Sequence, residues 1–320
     1  MNPYGDEAVY ELEASGEGLQ MEALDGTPSG SATSFYWKTV SREENRLYQP
    51  TFEGEEDVWQ WDWIFGPMTK RYPFELTHPA AVPETSQIRV WLHGASDFPE
   101  EPDHHVRLYV NGTLVTETWW DGETAHFVEA ELGPGVLREG ENTLAIEEVG
   151  DTEALYSMVM LDRFEVHHPA ELVAEDGQLK GQFSETGVAA VVTSPAQIFD
   201  LTSPEPRRLS GVGAVEGGVT FAVESGHRYL LTDSAKAPEV RLPQSSGLKK
   251  AWNRAEYLVI GPKDFLSAAA PLLAHRRHEG LIAGAIAIED IFDEFGYGEA
   301  TGESVREFIS YAYHHWSEPA

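Results

Sequence analysis

The sequence predicts a mainly β protein, organised as a β-sandwich or jelly roll, followed by the beginning of an α/β domain. Between residues 86 and 166, apolar and polar residues alternate in short segments that recur about every ten to fifteen residues and are joined by turn signals. From Tyr257 to Trp316 the order becomes strand, helix, strand, helix, helix, which is typical of the opening of a parallel sheet.

Strands in the β part are predicted from alternation and from β-branched and aromatic residues. In the first half of the chain they are expected at 8–12, 35–40, 58–65, 87–92, 105–110, 113–116 and 158–166, with a loop and a strand over 137–146. A second group is expected at 188–192, 196–201, 219–223 and 228–231. Asn111-Gly112 is a strong signal for a two-residue hairpin turn, and Asp121-Gly122 is interpreted as a second one.

These patterns divide the chain into three predicted domains. A β-sandwich or jelly-roll domain is expected over 1–168, a small β domain over 169–243 and the start of an α/β domain over 248–320. The segment 237–247 is rich in Pro, Ser and Gly, and we interpret it as the linker before the α/β part.

The α/β part begins with a clear strand–helix–strand pattern. Tyr257–Gly261 is a short apolar run that ends in glycine, the pattern of a strand buried on both faces. Asp264 is expected to cap the following helix, with Pro271 in its first turn and Gly280 at its end. Residues 281–288 are predicted to form the second strand.

Two helices are predicted after that strand. The first covers 289–295, and the second is expected to start with a capping box formed by Ser304 and Glu307. Five residues give this helix one apolar stripe: Val305, Phe308, Ile309, Ala312 and Trp316. Because two strands are too few to cover both faces of a parallel sheet, we expect the domain to continue past residue 320 and to be the least stable part of this chain.

Charge and composition exclude several classes of function. The 320 residues include 54 acidic and 22 basic side chains, for a formal net charge of −32. Such a surface repels nucleic acid and anionic lipid, so we expect no nucleic-acid partner. The absence of cysteine excludes disulfides, thiolate metal sites and a cysteine nucleophile within these residues. No apolar run approaches the roughly 20 residues of a membrane helix, and no signal peptide is recognised at the start.

Alternating aromatic residues stand out near residue 60. Trp59, Trp61, Trp63 and Phe65 would share one face of a strand over 58–65. Such a face could be a stacking platform for sugar or peptide. We favour the core face of a β-sandwich, because alternating aromatic residues usually point inward.

Two histidine pairs, at 104–105 and 167–168, invite a metal interpretation. Neither has the i, i+2 spacing that places two ligands on one face of a strand, so solvated strand ends are favoured. The acidic runs 53–57 and 100–103 could hold calcium through oxygen ligands, but neither matches a defined calcium loop. Calcium is therefore the only cofactor considered.

Other motifs give no site. Asn111-Gly-Thr113 fits the glycosylation sequon, but its turn chemistry explains it fully. The sequence has no P-loop, no Gly-x-Ser-x-Gly and no His-Glu-x-x-His. We assign no residue to a catalytic, cofactor-binding or metal site.

Three segments of the α/β part resemble a known family. They are Glu256-Tyr-Leu-Val-Ile-Gly-Pro-Lys-Asp-Phe265, His275-Arg-Arg-His-Glu-Gly-Leu281 and Glu289-Asp-Ile-Phe-Asp-Glu-Phe-Gly-Tyr-Gly298. In this order they are similar to the start of the gingipain-type cysteine peptidase domain. The resemblance implies a caspase-like fold and catalysis by a histidine and a cysteine that lie further along the family's domain. No residue here matches either, so this chain alone is expected to be inactive.

A looser resemblance covers the β part. Residues 105–112 and 137–144 are similar to galactose-binding-like jelly rolls, and to the β-rich region that precedes the catalytic domain in gingipain-like proteins. The first hypothesis is thus an N-terminal portion of a secreted or cell-surface bacterial gingipain-like peptidase precursor, acting on protein or peptide substrates. Its β domains would be a pro-region, a scaffold or a binding module. The second hypothesis is a secreted carbohydrate- or protein-binding module without catalysis.

Overall fold

A computed structural model of the protein describes residue 16 and residues 20–52, 58–194, 196–235, 237, 239–240 and 245–317. The predicted strand at 8–12 and the acidic run at 53–57 lie outside the described residues. The chain divides into two compact units, with the boundary after Lys236. The first of them is built from strands, and the second combines two strands with helices.

Strands follow one another closely through the first part of the β unit. They are β1 Ala23–Asp25, β2 Tyr36–Glu43, β3 Leu47–Tyr48, β4 Trp59–Gln60, β5 Asp62–Phe65, β6 Met68–Leu76, β7 Ser86–Gly94, β8 His104–Val110, β9 Thr113–Trp120, β10 Ala125–Leu132, β11 Gly140–Glu148 and β12 Met158–Ala170. The remaining strands of the unit are β13 Gln178–Gln182, β14 Gly187–Val192, β15 Gln197–Asp200, β16 Arg207–Ser210, β17 Gly213–Val215, β18 Gly218–Val223 and β19 Arg228–Thr232.

A β-sandwich forms the larger part of this unit. A ten-stranded sheet runs in the order β1-β16-β15-β19-β13-β2-β12-β7-β10, with β5 also paired to β12, and a four-stranded sheet runs β6-β11-β8-β9. The inward side chains of β2, β7, β10 and β12 meet those of the four-stranded sheet in one buried cluster, with Phe164 and Leu144 fully buried. The predicted β-sandwich is therefore confirmed.

The other end of the long sheet covers a second core. The strands β13, β15 and β19 contribute Leu179, Ile198 and Leu231, and these pack with Phe221 and Val191 from the three-stranded sheet β14-β18-β17. The strands expected between 188 and 231 are all present. The predicted domain boundary at 168/169 falls inside β12, whose last residue Ala170 belongs to this second core. The three-domain division stays a prediction.

The α/β unit has the predicted element order. Its elements are β20 Tyr257–Gly261, a 3₁₀ helix Lys263–Ala269, α1 Ala270–His278, β21 Ala283–Ala287, α2 Ile288–Phe295 and α3 Gly302–His315. The core is small and centres on Phe308, Ile291, Ile286 and Trp316. No helix in the described ranges is long and apolar enough to cross a membrane.

Several local predictions for this unit are wrong. Asp264 lies inside the first turn of the 3₁₀ helix rather than capping it. The cap of α3 is Thr301, whose side chain accepts from the Ser304 amide, so Ser304 is the third helical residue instead of the cap. The strand β20 is half-buried at all five positions, where burial on both faces was expected.

Of the two hairpin turns predicted in the β part, only one joins neighbouring strands of the same sheet. Asn111 and Gly112 have φ angles of 50° and 83°, as a two-residue hairpin between β8 and β9 requires, so this prediction is confirmed. The strands on either side of Asp121-Gly122, β9 and β10, belong to different sheets. That turn therefore carries the chain across the sandwich, and the hairpin predicted there is wrong.

Candidate functional site

The carboxyl ends of β20 and β21 form the candidate site of the α/β unit. The two strands pair in parallel from Tyr257↔Ala283 to Gly261↔Ala287, so both end at the same edge. In open α/β sheets, ligands bind outside this edge because the loops that follow the strands converge there.

Glu289 joins the two loops at this edge. It lies in the first turn of α2, directly after β21, and its carboxylate accepts hydrogen bonds from the backbone N–H of Lys263 at 3.2 Å and 3.1 Å. Lys263 begins the 3₁₀ helix that follows β20. A negative charge is also favoured at the N-terminus of a helix. One exposed carboxylate thus fixes the backbone that follows both strands.

A second carboxylate organises the opposite end of α2. Glu294 accepts hydrogen bonds from the Gly247 amide at 2.8 Å and from the Ser246 hydroxyl at 2.5 Å. Burial alone would raise the pKa of Glu294, but hydrogen bonds from Ser246 and from the Gly247, Leu248 and Lys249 amides outweigh it and lower the pKa. The segment that leads into the α/β unit is therefore fixed to α2.

The edge offers limited chemistry by itself. Lys263 and Asp264 are exposed there, and the Lys263 backbone is held in place by Glu289. The chain has no cysteine. Within the described ranges, no three His, Asp or Glu side chains are placed to hold a metal ion. What the edge supplies is a fixed backbone, an ammonium group and carboxylates.

The first histidine pair is buried rather than solvated. His104 and His105 are 0% and 2% exposed. His104 Nδ1 lies 2.7 Å from Ser157 Oγ, and its Nε2 donates to the Gly122 carbonyl at 3.2 Å. Burial lowers the pKa of His104, which favours the neutral ring. The expected solvated strand end is wrong here, because His104 points into the sandwich where a hydroxyl and a carbonyl satisfy it.

The second histidine pair, His167 and His168, is also packed against other groups of the protein. His168 is 1% exposed and its Nδ1 donates to the Pro169 carbonyl at 2.9 Å, while burial lowers its pKa. His167, on the opposite face of β12, stacks on Trp37 with ring centroids 4.8 Å apart. Neither histidine lies at a solvated strand end, so that prediction is also wrong for this pair.

The acidic run at 100–103 has a structural role. Asp103 is fully buried and accepts from the Phe98 amide at 3.1 Å and from the Gly122 amide at 3.0 Å. Its carboxylate therefore satisfies two backbone N–H groups that would otherwise be unpaired in the interior. The second calcium candidate, 53–57, lies outside the described residues.

The aromatic stripe near residue 60 does not share one face. Trp61 is buried, whereas Trp63 is 43% exposed and Phe65 is 39% exposed. The chain changes partner at Trp61, because β4 pairs with β3 and β5 pairs with β12. The alternation restarts after Trp61, so Ile64 points inward in place of Trp63 and Phe65. The predicted buried stripe is wrong apart from Trp61.

Comparison with known proteins gives one family match. Residues 250–320 match the model of peptidase family C25. A search of curated proteins found no match. The matched residues contain β20, β21 and the α-helices α1, α2 and α3, and thus the candidate edge. The resemblance inferred from three short segments is confirmed in this part of the chain.

Among solved structures, the chain is similar to dimeric latent PorU from Porphyromonas gingivalis. The TM-score is 0.61 at 17% identity, and the alignment covers 94% of this chain and 30% of PorU. The chain thus has the fold of a part of PorU and spans 30% of its length. A CBM36-1 domain of a xylanase from the Trinervitermes trinervoides hindgut metagenome aligns with 41% of this chain and 95% of its own, at 10% identity and a TM-score of 0.27. Similarity at that level does not establish a shared fold.

Proposed function

We propose that this chain is a portion of a gingipain-like cysteine peptidase in which a β-sandwich region precedes the start of a caspase-like peptidase domain. The match of residues 250–320 to peptidase family C25 carries the proposal. The parallel pair β20 and β21 supports it, since a parallel two-strand unit with helices is how such an α/β domain begins. The similarity to PorU over 94% of the chain supports the order of the two regions.

The proposed chemistry is hydrolysis of a peptide bond by a cysteine thiolate. A histidine takes the proton from the thiol, the thiolate attacks the scissile carbonyl carbon, and the histidine then protonates the leaving amine. Water, deprotonated by the same histidine, then cleaves the resulting thioester, which releases the carboxylic acid product and restores the thiol. Backbone amides hold the oxyanion of the tetrahedral intermediate. The chain itself has no cysteine, so in this proposal the nucleophile and its base come from sequence outside these 320 residues.

The residues of this chain have positioning roles in the proposal. Glu289 fixes the Lys263 backbone at the edge where a substrate would approach. The β region serves as a scaffold for the peptidase domain. We further propose that the parent protein is secreted or at the cell surface and acts on protein or peptide substrates.

The experiment compares two purified proteins on a fluorogenic peptide library: this chain, and the product of the complete reading frame that contains it. We expect hydrolysis only by the longer product, and we expect iodoacetamide to abolish it because it alkylates the thiolate. Activity of the 320-residue chain that survives re-purification would overturn the proposal. So would a longer product whose activity is insensitive to alkylation.

A matched pair of variants tests the role of Glu289 in the longer product. Glu289→Ala removes the acceptor for the Lys263 amide, and we expect kcat to fall by at least about tenfold because a charged acceptor contributes roughly 1.5–3 kcal/mol. Asp293→Ala, in the same helix, removes the same charge and should leave kcat unchanged. Glu289→Asp should restore part of the loss. Equal losses in both alanine variants would contradict the positioning role.

A further inference from the structure

A groove of about 520 Å³ lies on the outer face of the four-stranded sheet. Its floor is formed by the short side chains of Thr143 and Ala145 on the central strand β11, and its walls include Arg71 on β6 and Tyr109 on β8. Arg71, Ala145 and Tyr109 lie directly opposite one another in the register of the three strands. Because opposite residues project to the same face, two long side chains flank a short one.

The groove presents guanidinium groups. Arg71 is exposed, and its guanidinium makes no hydrogen bond or ion pair to any described residue. Arg138 lines the groove as well, and its Nε donates to the Glu141 carbonyl at 2.8 Å, which orients the guanidinium and leaves its terminal nitrogens available. In a chain with a formal net charge of −32, these donors make the groove locally complementary to a carboxylate.

The carboxylate that lines the groove is already engaged. Tyr109 Oη donates to Glu147 Oε2 at 2.7 Å. This hydrogen bond holds the Tyr109 ring upright as a wall, and it occupies one oxygen of Glu147. The ring offers an apolar surface with a polar tip, the kind of surface against which a sugar ring stacks.

The position of the groove argues against a bound peptide strand. Its floor, β11, is paired with β6 on one side and with β8 on the other, so its backbone groups are used within the sheet. Strand addition needs a free sheet edge, which this floor does not offer. Recognition must therefore come from side chains, and those present suit a carboxylate, hydroxyl groups and the apolar C–H face of a sugar ring.

We propose that this groove binds an acidic oligosaccharide. The guanidinium groups of Arg71 and Arg138 hold the carboxylate of a uronic acid residue, and its sugar ring packs against Tyr109. The hydroxyls of Thr69 and Thr143, which line the groove, face the sugar hydroxyls. This binding site is independent of the peptidase proposed for the other unit, because its residues all lie in the β unit.

The test is calorimetric titration of the whole chain with trigalacturonate. We expect Arg71→Ala and Arg138→Ala each to weaken binding by at least about tenfold, since a hydrogen bond to a charged group contributes roughly 1.5–3 kcal/mol. Arg71→Lys keeps the charge but loses the planar fork, so it should lie between wild type and Arg71→Ala. Arg208→Ala is the matched control: it removes one exposed arginine from β16 in the same unit and should bind like wild type.

Two further ligands distinguish an acidic oligosaccharide from a neutral sugar and from an acidic peptide. Neutral galactotriose should bind at least about tenfold more weakly than trigalacturonate, because it lacks the carboxylates. A pentaglutamate peptide should also bind more weakly, because it has no sugar ring to pack on Tyr109. Each variant is checked by its thermal melt; if Arg71→Ala melts below wild type, Arg138→Ala decides.

Three results would overturn the proposal. The first is no binding of trigalacturonate by wild type up to about 10 mM, a concentration at which even a millimolar site is largely occupied. The second is a loss in Arg208→Ala equal to that in Arg71→Ala, which would mean unspecific charge attraction. The third is pentaglutamate binding that is as tight as trigalacturonate and equally dependent on Arg71, which would make the groove a site for acidic peptides.

Discussion

The β unit and the α/β unit bury their strands to different extents. In β11, which pairs on both sides, Leu144 and Ile146 are fully buried between two facing sheets. In β20, every residue is half-buried, and among the described residues the strand pairs only with β21. A sandwich closes its core with its own two sheets, whereas a two-stranded parallel sheet depends on the helices around it. We therefore expect the two units to differ in local stability.

Polar anchors hold both ends of the α/β unit in place. Glu294 accepts three backbone amides and a hydroxyl from residues 246–249. The indole Nε1 of Trp316 donates to the Leu248 carbonyl at 2.8 Å. These bonds connect both ends of the unit to one small core around Phe308. Hydrogen bonds of this kind fix the chain path; a bond between neutral groups, such as that of Trp316, contributes about 1 kcal/mol, and one to a charged group roughly 1.5–3 kcal/mol.

The largest effect is expected in the core of the sandwich. Trp61 is 7% exposed and stacks on Phe164 with ring centroids 5.8 Å apart. Trp61→Ala should lower the free energy of unfolding by about 3–5 kcal/mol, as for other buried aromatic residues. Urea unfolding followed by far-UV circular dichroism measures it.

The matched control for Trp61→Ala lies two residues away. Trp63 is 43% exposed and its ring contacts the Lys70 ammonium at 4.4 Å. Trp63→Ala should therefore cost less than about 1 kcal/mol, the range of an exposed cation–π contact. Equal losses for the two variants would mean that the aromatic stripe does share one buried face, as the alternation alone predicts.

Hydrogen exchange compares the two units directly. We expect the amides of Tyr257–Gly261 to exchange at least about 100-fold faster than those of Val106–Val110, because β8 is buried and paired on both sides. Mass spectrometry of the intact chain at neutral pH measures both segments in one sample. Similar rates would show that the α/β unit is as stable as the sandwich, against the expectation from its sequence.

How far the sequence predicted the structure depended on the range of the interaction. The order of elements in the α/β unit and the Asn111-Gly112 hairpin follow from local patterns, because helix spacing and left-handed turn residues act within a few positions. The prediction of a buried aromatic stripe failed because β4 and β5 pair with different strands, and strand pairing is a long-range property. The prediction of a hairpin at Asp121-Gly122 failed for the same reason, because the strands on either side pair in different sheets.

The candidate sites were less predictable than the fold. His104 was predicted at a solvated strand end because adjacent histidines lack the spacing of metal ligands, and Asp103 was considered only as part of a possible calcium site, yet tertiary contacts bury both. The groove was missed altogether. Arg71 and Tyr109 occupy outward positions in two strands that are 38 residues apart, and only the register with Ala145 brings them together. An alternation pattern identifies outward positions but does not show which strands are neighbours.

Glu148 should make the stability of the β unit depend on pH. It is 0% exposed, its Oε1 accepts a hydrogen bond from the His105 amide at 3.5 Å, and hydrogen bonds from Ser157 and Gly150 only partly offset its burial. Burial raises its pKa from 4.5 to about 7. The folded protein therefore binds this proton more tightly than the unfolded chain does. The stabilisation is complete below pH 4.5 and is lost as the pH rises to about 7.

The variant Glu148→Gln isolates this contribution. Its stability relative to wild type should rise by about 2 kcal/mol between pH 5 and pH 8, because the neutral amide has no charge to bury. Glu131→Gln, an exposed change in the same unit, should show a difference within about 0.5 kcal/mol throughout. Urea denaturation at several pH values gives both curves. A flat difference for Glu148→Gln would mean that Glu148 is ionised in the folded protein without penalty.

The smallest loss of stability is expected from a change at the N-terminus of α3. Thr301 accepts a hydrogen bond from the Ser304 amide at 3.1 Å, and Glu307 is exposed. Thr301→Ala should destabilise the helix by about 1 kcal/mol, whereas Thr301→Ser keeps the hydroxyl and should cost a few tenths. Faster amide exchange at 302–306 reports the loss. If α3 instead began with the capping box of Ser304 and Glu307, Glu307→Ala would carry the penalty and Thr301→Ala would be neutral.

The same variant also compares the two units. Because α3 supplies Phe308 to the small core, we expect Thr301→Ala to increase the rate of amide exchange in β20 as well, while the exchange rate in β8 stays unchanged.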